Sequence, residues 1–240
     1  MPLTPEQSGA RLVGGYPPSD GTIEFYGRLR QALGRGHVVL DLGAGRAAWH
    51  SLEIPSRRAV RDIRDASGRV IAVDVDQAVL DNPIAHERML MRDGRIPLPA
   101  GSVDVVVCDY VLEHVEHTTA FALEVDRVLR SGGLFCARTP HRFEYVAIGA
   151  RVLKRTSYRQ FRNRAVPDRP EIDAFPTFYR MNTRKALRQL FPRYEDHSYL
   201  YCSEPGYHFN NPIVFGLLSI AHRVLPRVLV SNLFVFMRKP

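Results

Sequence analysis

The stretch Val38-Val-Leu-Asp-Leu-Gly-Ala-Gly45 constrains this chain more than any other. An apolar, β-branched run ends on an acid, and a Gly-x-Gly turn follows at once. Such a run suits a strand buried on both faces, and the glycines permit the left-handed backbone that a sharp strand-to-helix turn demands. A strand of this kind needs parallel partners, and the sequence supplies them. Residues 37–41, 69–74, 88–91, 102–108 and 133–139 all read as short buried strands. Before the last of these, Ala120, Leu123, Glu124, Arg127, Val128 and Leu129 make an amphipathic helical pattern stopped by Ser131-Gly-Gly133. Residues 23–33 read as an earlier helix. Asn182 or Thr183 caps another that reaches Leu190. Residues 194–202 and 232–237 are further strands, and 212–223 an apolar helix. Strands alternating with helices predict an α/β fold, a doubly wound and mostly parallel sheet, within one domain spanning 1–240.

The glycine turn has two chemical readings. Gly43-Ala-Gly45-Arg-Ala-Ala48 fits the G-x-G-x-x-G/A turn of dinucleotide sites, where backbone N–H groups at a helix N-terminus meet a phosphate. With Asp41 before it, the same turn sets a carboxylate beside an anion site, which suits an amino-acid zwitterion. Asp74 ends the second strand, where a carboxylate can accept two bonds from a ribose diol. Asp93-Gly94 follows the third strand and Asp104 opens the fourth. Val111-Leu-Glu-His-Val115 and Arg127-Val-Leu-Arg-Ser-Gly-Gly133 complete the series.

In that order these motifs resemble the class I S-adenosylmethionine-dependent methyltransferases, in particular the broad group called type 11. The matching positions are Asp41, Gly43 and Gly45, then Asp74, Asp93, Leu98-Pro99 and Asp104, then Leu112-Glu-His114, and finally Arg127-Val-Leu129 with Gly132-Gly133. Ala47 stands at the family's third glycine, and Ser131-Gly132 replaces Pro-Gly. Asp41 and Asp74 lie 33 positions apart, a long spacing that Pro55 interrupts.

The resemblance implies a Rossmann-like, seven-stranded sheet whose last strand is antiparallel. A core at 37–140 would carry acceptor-side insertions at 143–180 and 203–228. It implies S-adenosylmethionine as cofactor. Asp41 would hold the methionine ammonium and the backbone of 43–45 its carboxylate. Asp74 would take the ribose hydroxyls, Val75 would pack on the adenine, and Asp93, in the turn with Gly94, would meet its exocyclic N–H. Asp109 and Tyr110 would face the sulfonium. His114 and His141 are candidate bases, because both follow strand ends that open on the cofactor cleft. Some relatives bind a divalent ion through E-x-x-E-H; here Tyr110 occupies the first acid's place, so no catalytic metal is expected.

Charge bears on the acceptor. The chain carries +8 overall, and between Arg138 and Arg164 eight Lys and Arg residues oppose Glu144 alone, a local excess of 8 − 1 = +7. So concentrated a field suits an anionic partner. With Tyr145, Tyr158, Phe161, Phe175, Phe178 and Tyr179 nearby, the expected acceptor is a small or lipid-linked molecule bearing an anionic group, methylated at oxygen. An RNA methyltransferase is favoured by charge alone, without a separate nucleic-acid module. A nicotinamide-dependent oxidoreductase accounts for the glycine turn but not for the later motifs. A cofactor-binding protein without catalysis shares every motif. No apolar run reaches the ~18 residues of a membrane span and the first residues lack a signal-peptide pattern, so a cytoplasmic protein is expected. Peripheral membrane contact stays open, although the 212–223 helix is expected to be core. Cys108, Cys136 and Cys202 are expected to be reduced thiols.

Overall fold

Five parallel strands form the body of one sheet: β1 (Val38–Leu42), β2 (Arg69–Asp74), β3 (Glu87–Leu90), β4 (Val103–Asp109) and β5 (Leu129–Pro140), in the order β3-β2-β1-β4-β5. Three more strands extend it beyond β5: β6 (Glu195–Asp196), β7 (Tyr199–Tyr201) and β8 (Asn232–Arg238). β8 lies antiparallel along β5 from Leu134↔Arg238 to Pro140↔Asn232, and β6 and β7 share its outer edge. Eight strands therefore fill seven positions. This computed structural model describes residues 16, 19–152, 175–203, 205 and 211–240.

Alternation along the strands explains why the middle of β1, β2 and β4 is apolar on both faces. Val39, Val105 and Val107 point to one face, where they meet Phe25, Leu29 and Phe234. Leu40, Leu42, Val106 and Cys108 point to the other, onto Leu112, Val125 and Phe135. A period of two thus puts successive residues into two cores, one above and one below the sheet. The first core is closed by α1 (Gly21–Ala32), whose N-cap Asp20 accepts from the Thr22 and Ile23 N–H groups. The second is closed by α4 (Thr118–Val128) and α6 (Arg184–Leu190), the latter capped by Thr183.

Two expectations need correction, and the interruption expected at Pro55 is seen as a broken helix. The single strand expected at 194–202 is broken into β6 and β7: the Ser198 N–H turns to the Asp196 carboxylate at 2.8 Å, while the register along β8 continues unshifted. The helix after the glycine turn is split into α2 (Trp49–Leu52) and α3 (Pro55–Arg61). Pro55 has no N–H to donate and so opens a new helix. The helix expected at 212–223 forms as α7 (Pro212–Val224), but it is not core: only Phe215 is buried along it. Among the described residues, the remaining α-helices are α5 (Tyr145–Val152), ahead of α6, and α8 (Arg227–Val230), after α7.

Candidate functional site

The parallel strands all end at one edge of the sheet, the edge at which open α/β folds receive ligands. Asp41 lies next to the end of β1, in register with Ala72 and Val107. The turn beyond it is pinned by the Val73 carbonyl, which accepts from the Gly43 and Ala44 N–H groups at 2.7 and 3.4 Å. Gly43 has φ +81°, and a Cβ there would collide with the Val111 side chain. Gly45 has φ +49° and open space: the nearest atom to a Cβ would be Asp74 Oδ2, 3.9 Å away. A ligand can therefore approach this backbone closely. Ala47 replaces the third glycine yet still adopts φ +52°, a conformation that costs an L-residue roughly 1–2 kcal/mol. Because α2 has only four residues, the helix N-terminus expected here contributes little. The capacity for an anion rests on the left-handed turn itself.

The Asp41 carboxylate has no hydrogen-bond or ion-pair partner among the described residues. Burial and the neighbouring Asp109 push its pKa up to about 7, Asp74 adds to the rise, and Arg61 opposes it. An unpaired acid in such a place lacks a cation. Asp74 differs: Oδ2 accepts from the Gly45 N–H at 2.8 Å and Oδ1 from the Asp76 N–H at 2.9 Å. Each oxygen keeps a second lone-pair site for a further donor. Val75, next along, is 66 % exposed, an apolar surface without cover. Asp93 and Gly94 form an exposed left-handed turn after β3, closed by the Arg95 N–H on the Arg92 carbonyl.

At the end of β4 the electrostatics are different again. Asp109 faces Arg138 in register on β5 and takes two bonds from its guanidinium, Nε to Oδ1 at 2.7 Å and an Nη to Oδ2 at 2.8 Å. Arg61 adds a third at 2.9 Å and the Tyr26 hydroxyl a fourth at 3.1 Å. These cations hold the Asp109 carboxyl below the usual range against the cost of burial. The position expected to face a sulfonium is therefore saturated by protein donors. Arg138, counted in the basic cluster on sequence, is buried in this network and belongs to the sheet, not to an acceptor surface. Tyr110 turns out of the strand with φ +57°, and the Arg138 guanidinium lies 4.7 Å from its ring centre.

Beyond β4, Glu113 is buried and accepts from the Thr139 hydroxyl at 2.8 Å. Its carbonyl accepts from the Phe178 and Tyr179 N–H groups, so it ties the returning chain to the ends of β4 and β5. His114 has Nδ1 2.7 Å from the Pro176 carbonyl. His141, directly after β5, has Nδ1 3.0 Å from the Val228 carbonyl of α8, and burial lowers its pKa. A carbonyl can only accept, so each of these contacts needs a hydrogen on Nδ1; at His141 the Phe143 N–H also lies 3.4 Å from the same nitrogen.

The structure thus gathers Asp41, the 43–45 turn, Asp74, Val75, Tyr110 and His141 along one strand-end edge. Asp93 sits farther out on the same edge. Sequence reading missed Tyr26 and Arg61. Arg138 was counted on sequence only in the basic cluster, although its place inside the apolar run of β5 could have marked a buried partner; nothing marked Arg61, which reaches Asp109 from α3. Most of the basic cluster, 153–164, lies outside the described residues, as does much of the two insertions.

Residues 40–137 match the family Methyltransf_11, a methyltransferase domain. The chain is 37 % identical over 152 residues to a Mycolicibacterium smegmatis protein named "Probable S-adenosylmethionine-dependent methyltransferase", which covers 60 % of this chain and 54 % of that one. A Mycobacterium tuberculosis protein of the same name is 39 % identical over 85 residues, 32 % of this chain and 30 % of its own length. The chain thus spans about half the first relative and less of the second. Among solved structures, a SAM-dependent methyltransferase from Methanosarcina mazei aligns with TM-score 0.54 at 14 % identity, covering 88 % of this chain and 96 % of that one. The geranyl diphosphate C-methyltransferase of Streptomyces coelicolor aligns with TM-score 0.56 at 14 % identity, covering 90 % and 74 %. At these identities the structures speak for the fold alone.

Proposed function

We propose that this chain, which carries a class I S-adenosylmethionine-dependent methyltransferase domain, transfers a methyl group from that cofactor to oxygen on a small or lipid-linked acceptor with an anionic group. The observation that carries the cofactor reading is the unpaired Asp41 carboxylate beside an approachable glycine turn. An α-amino acid presents an ammonium and a carboxylate side by side and satisfies both. The donor set fits throughout. Asp41 binds the ammonium, and the 43–45 backbone receives the carboxylate. Asp74 uses its spare lone pairs for the ribose diol, Val75 covers the adenine, and the Asp93-Gly94 turn meets its amino edge.

Bound there, the cofactor brings a methyl group already activated on sulfur, so the protein's task is orientation and exclusion of water. Tyr110, held over Arg138, borders the reacting end. Asp109 contributes as a clamp on the β4 and β5 ends rather than as a free charge. His141 holds a neutral imidazole with Nε2 as acceptor and removes the proton of a hydroxyl acceptor; His114 is the alternative base from the neighbouring turn. The acceptor's anionic group is inferred from the basic residues after β5. Calorimetry tests the reading: S-adenosylhomocysteine should bind and NAD should not. Binding of NAD alone would replace it with nicotinamide chemistry.

A further inference from the structure

The outer face of α7 is apolar where a helix on a protein surface is ordinarily polar. Ile213, Leu217, Ile220 and Val224 are 72, 64, 58 and 74 % exposed. Their spacing of four, three and four places all of them within about 60° of the helix circumference at 3.6 residues per turn. The opposite face is the one the protein uses: Phe215 is buried, and His222 bonds to the Ser203 carbonyl at 3.0 Å and packs against Tyr145 of α5. Just beyond α7, Leu225 and Val228 are also exposed, at 43 and 38 %. Isolated exposed leucines are ordinary, but a continuous stripe marks an interaction surface.

Charge indicates the occupant. No acidic residue occurs after Glu204, whereas Arg223, Arg227, Arg238 and Lys239 do. Arg223 and Arg227 lie at the C-terminal end of the stripe and are exposed. A helix with an apolar face, a basic C-terminal end and no acids suits a membrane interface. Arginines can reach lipid phosphates while the aliphatic face sinks among the acyl chains. Among the described residues no helix is long and apolar enough to cross a membrane. The contact is therefore with the surface.

We infer that α7 and α8 dock this protein onto an anionic bilayer surface, with Ile213, Leu217, Ile220 and Val224 inserted and Arg223 and Arg227 on headgroup phosphates. Docking here would turn the strand-end edge toward the lipid, since α8 contacts His141 through the Val228 carbonyl. The inference does not depend on the methyl-transfer reading, and its test uses no methyl donor.

The full chain is floated with vesicles of phosphatidylcholine alone and of phosphatidylcholine with about 30 % phosphatidylglycerol. Binding is expected to the anionic vesicles, to weaken in ~0.5 M salt, and to fall at least tenfold in Ile213→Ser/Leu217→Ser and in Arg223→Gln/Arg227→Gln. S-adenosylhomocysteine affinity, measured separately, should be unchanged in all variants. A folded protein that ignores both vesicles overturns the inference, as does binding that the variants retain. Two other outcomes also overturn it. A concentration-dependent dimer dispersed by Ile213→Ser/Leu217→Ser makes the stripe a contact between copies of this chain. A large loss of thermal stability in that variant means the chain covers the stripe itself. Vesicle binding with no S-adenosylhomocysteine binding would sink the cofactor reading and leave the docking inference standing.

Discussion

A half-buried acid with a pKa near neutrality makes cofactor binding pH-dependent. Desolvation and the neighbouring Asp109 push the Asp41 pKa up to about 7, against 3.8 in an unstructured chain. The folded state thus grips the proton more tightly, so this group's stabilising contribution is present at low pH and is lost as pH rises from about 4 to about 7. Tm measured across that window should fall with rising pH, and Asp41→Asn should flatten the slope. An ammonium ligand needs the ionised acid, so S-adenosylhomocysteine affinity should drop roughly tenfold per unit below pH 7. Pocket affinity that is flat from pH 5 to 8 would mean that Asp41 does not meet the ammonium.

Asp74 gives a second residue-scale test. Asp74→Ala removes charge-assisted contacts worth ~1.5–3 kcal/mol, a ten- to hundredfold loss of S-adenosylhomocysteine affinity. Unchanged affinity in the folded variant would move the ribose elsewhere. For His141, removal of a general base should lower kcat by ~10²–10⁴ and spare cofactor affinity. Because burial lowers its pKa, the acid limb of the rate profile should lie below the ordinary histidine value of about 6.5. Full turnover in both His141→Ala and His114→Ala would leave positioning as the whole of catalysis.

At the scale of elements, the ends of β4 and β5 are held by a buried ionic cluster where parallel strands would ordinarily rely on packing. The Asp109 and Arg138 side chains are 8 and 4 % exposed, and Arg61 brings α3 into the same cluster. Replacing one partner strands the other charge, which typically costs ~3–5 kcal/mol. Arg138→Ala should therefore shift the urea midpoint strongly downward, although Arg138 touches no ligand in the proposed site. A shift equivalent to less than about 1 kcal/mol would show that Arg61 alone neutralises Asp109. The same cluster explains how the chain tolerates a broken first helix. Pro55 restarts it as α3, and Arg61 at its end anchors on the sheet.

Over the whole molecule, the two cores on either face of the sheet hold the strand ends in register, and the ligand edge is where that scaffold gives way to loops. Ligand bound there stabilises the folded state by mass action, about 2.7 kcal/mol at a hundredfold excess over Kd. Tm should rise with S-adenosylhomocysteine concentration and not with NAD.

The strands of the core, their parallel sense and the acid-bearing turns were legible in the sequence because they rest on local chemistry. Val38–Leu42 and Val103–Asp109 are apolar on both faces of the pleat except at Asp41, Asp104 and Asp109, and Gly43 must be glycine beside Val111. Asp41 and Asp74 stand at strand ends for the same local reason. What the sequence could not show depends on residues far apart in the chain. Arg138 reads as one more positive charge until Asp109, 29 residues away, faces it across a strand pair. α7 reads as core from its composition alone, because hydrophobicity does not say which side of a helix the protein covers. Only packing assigned Phe215 and His222 to the inside and left Ile213, Leu217, Ile220 and Val224 to the outside.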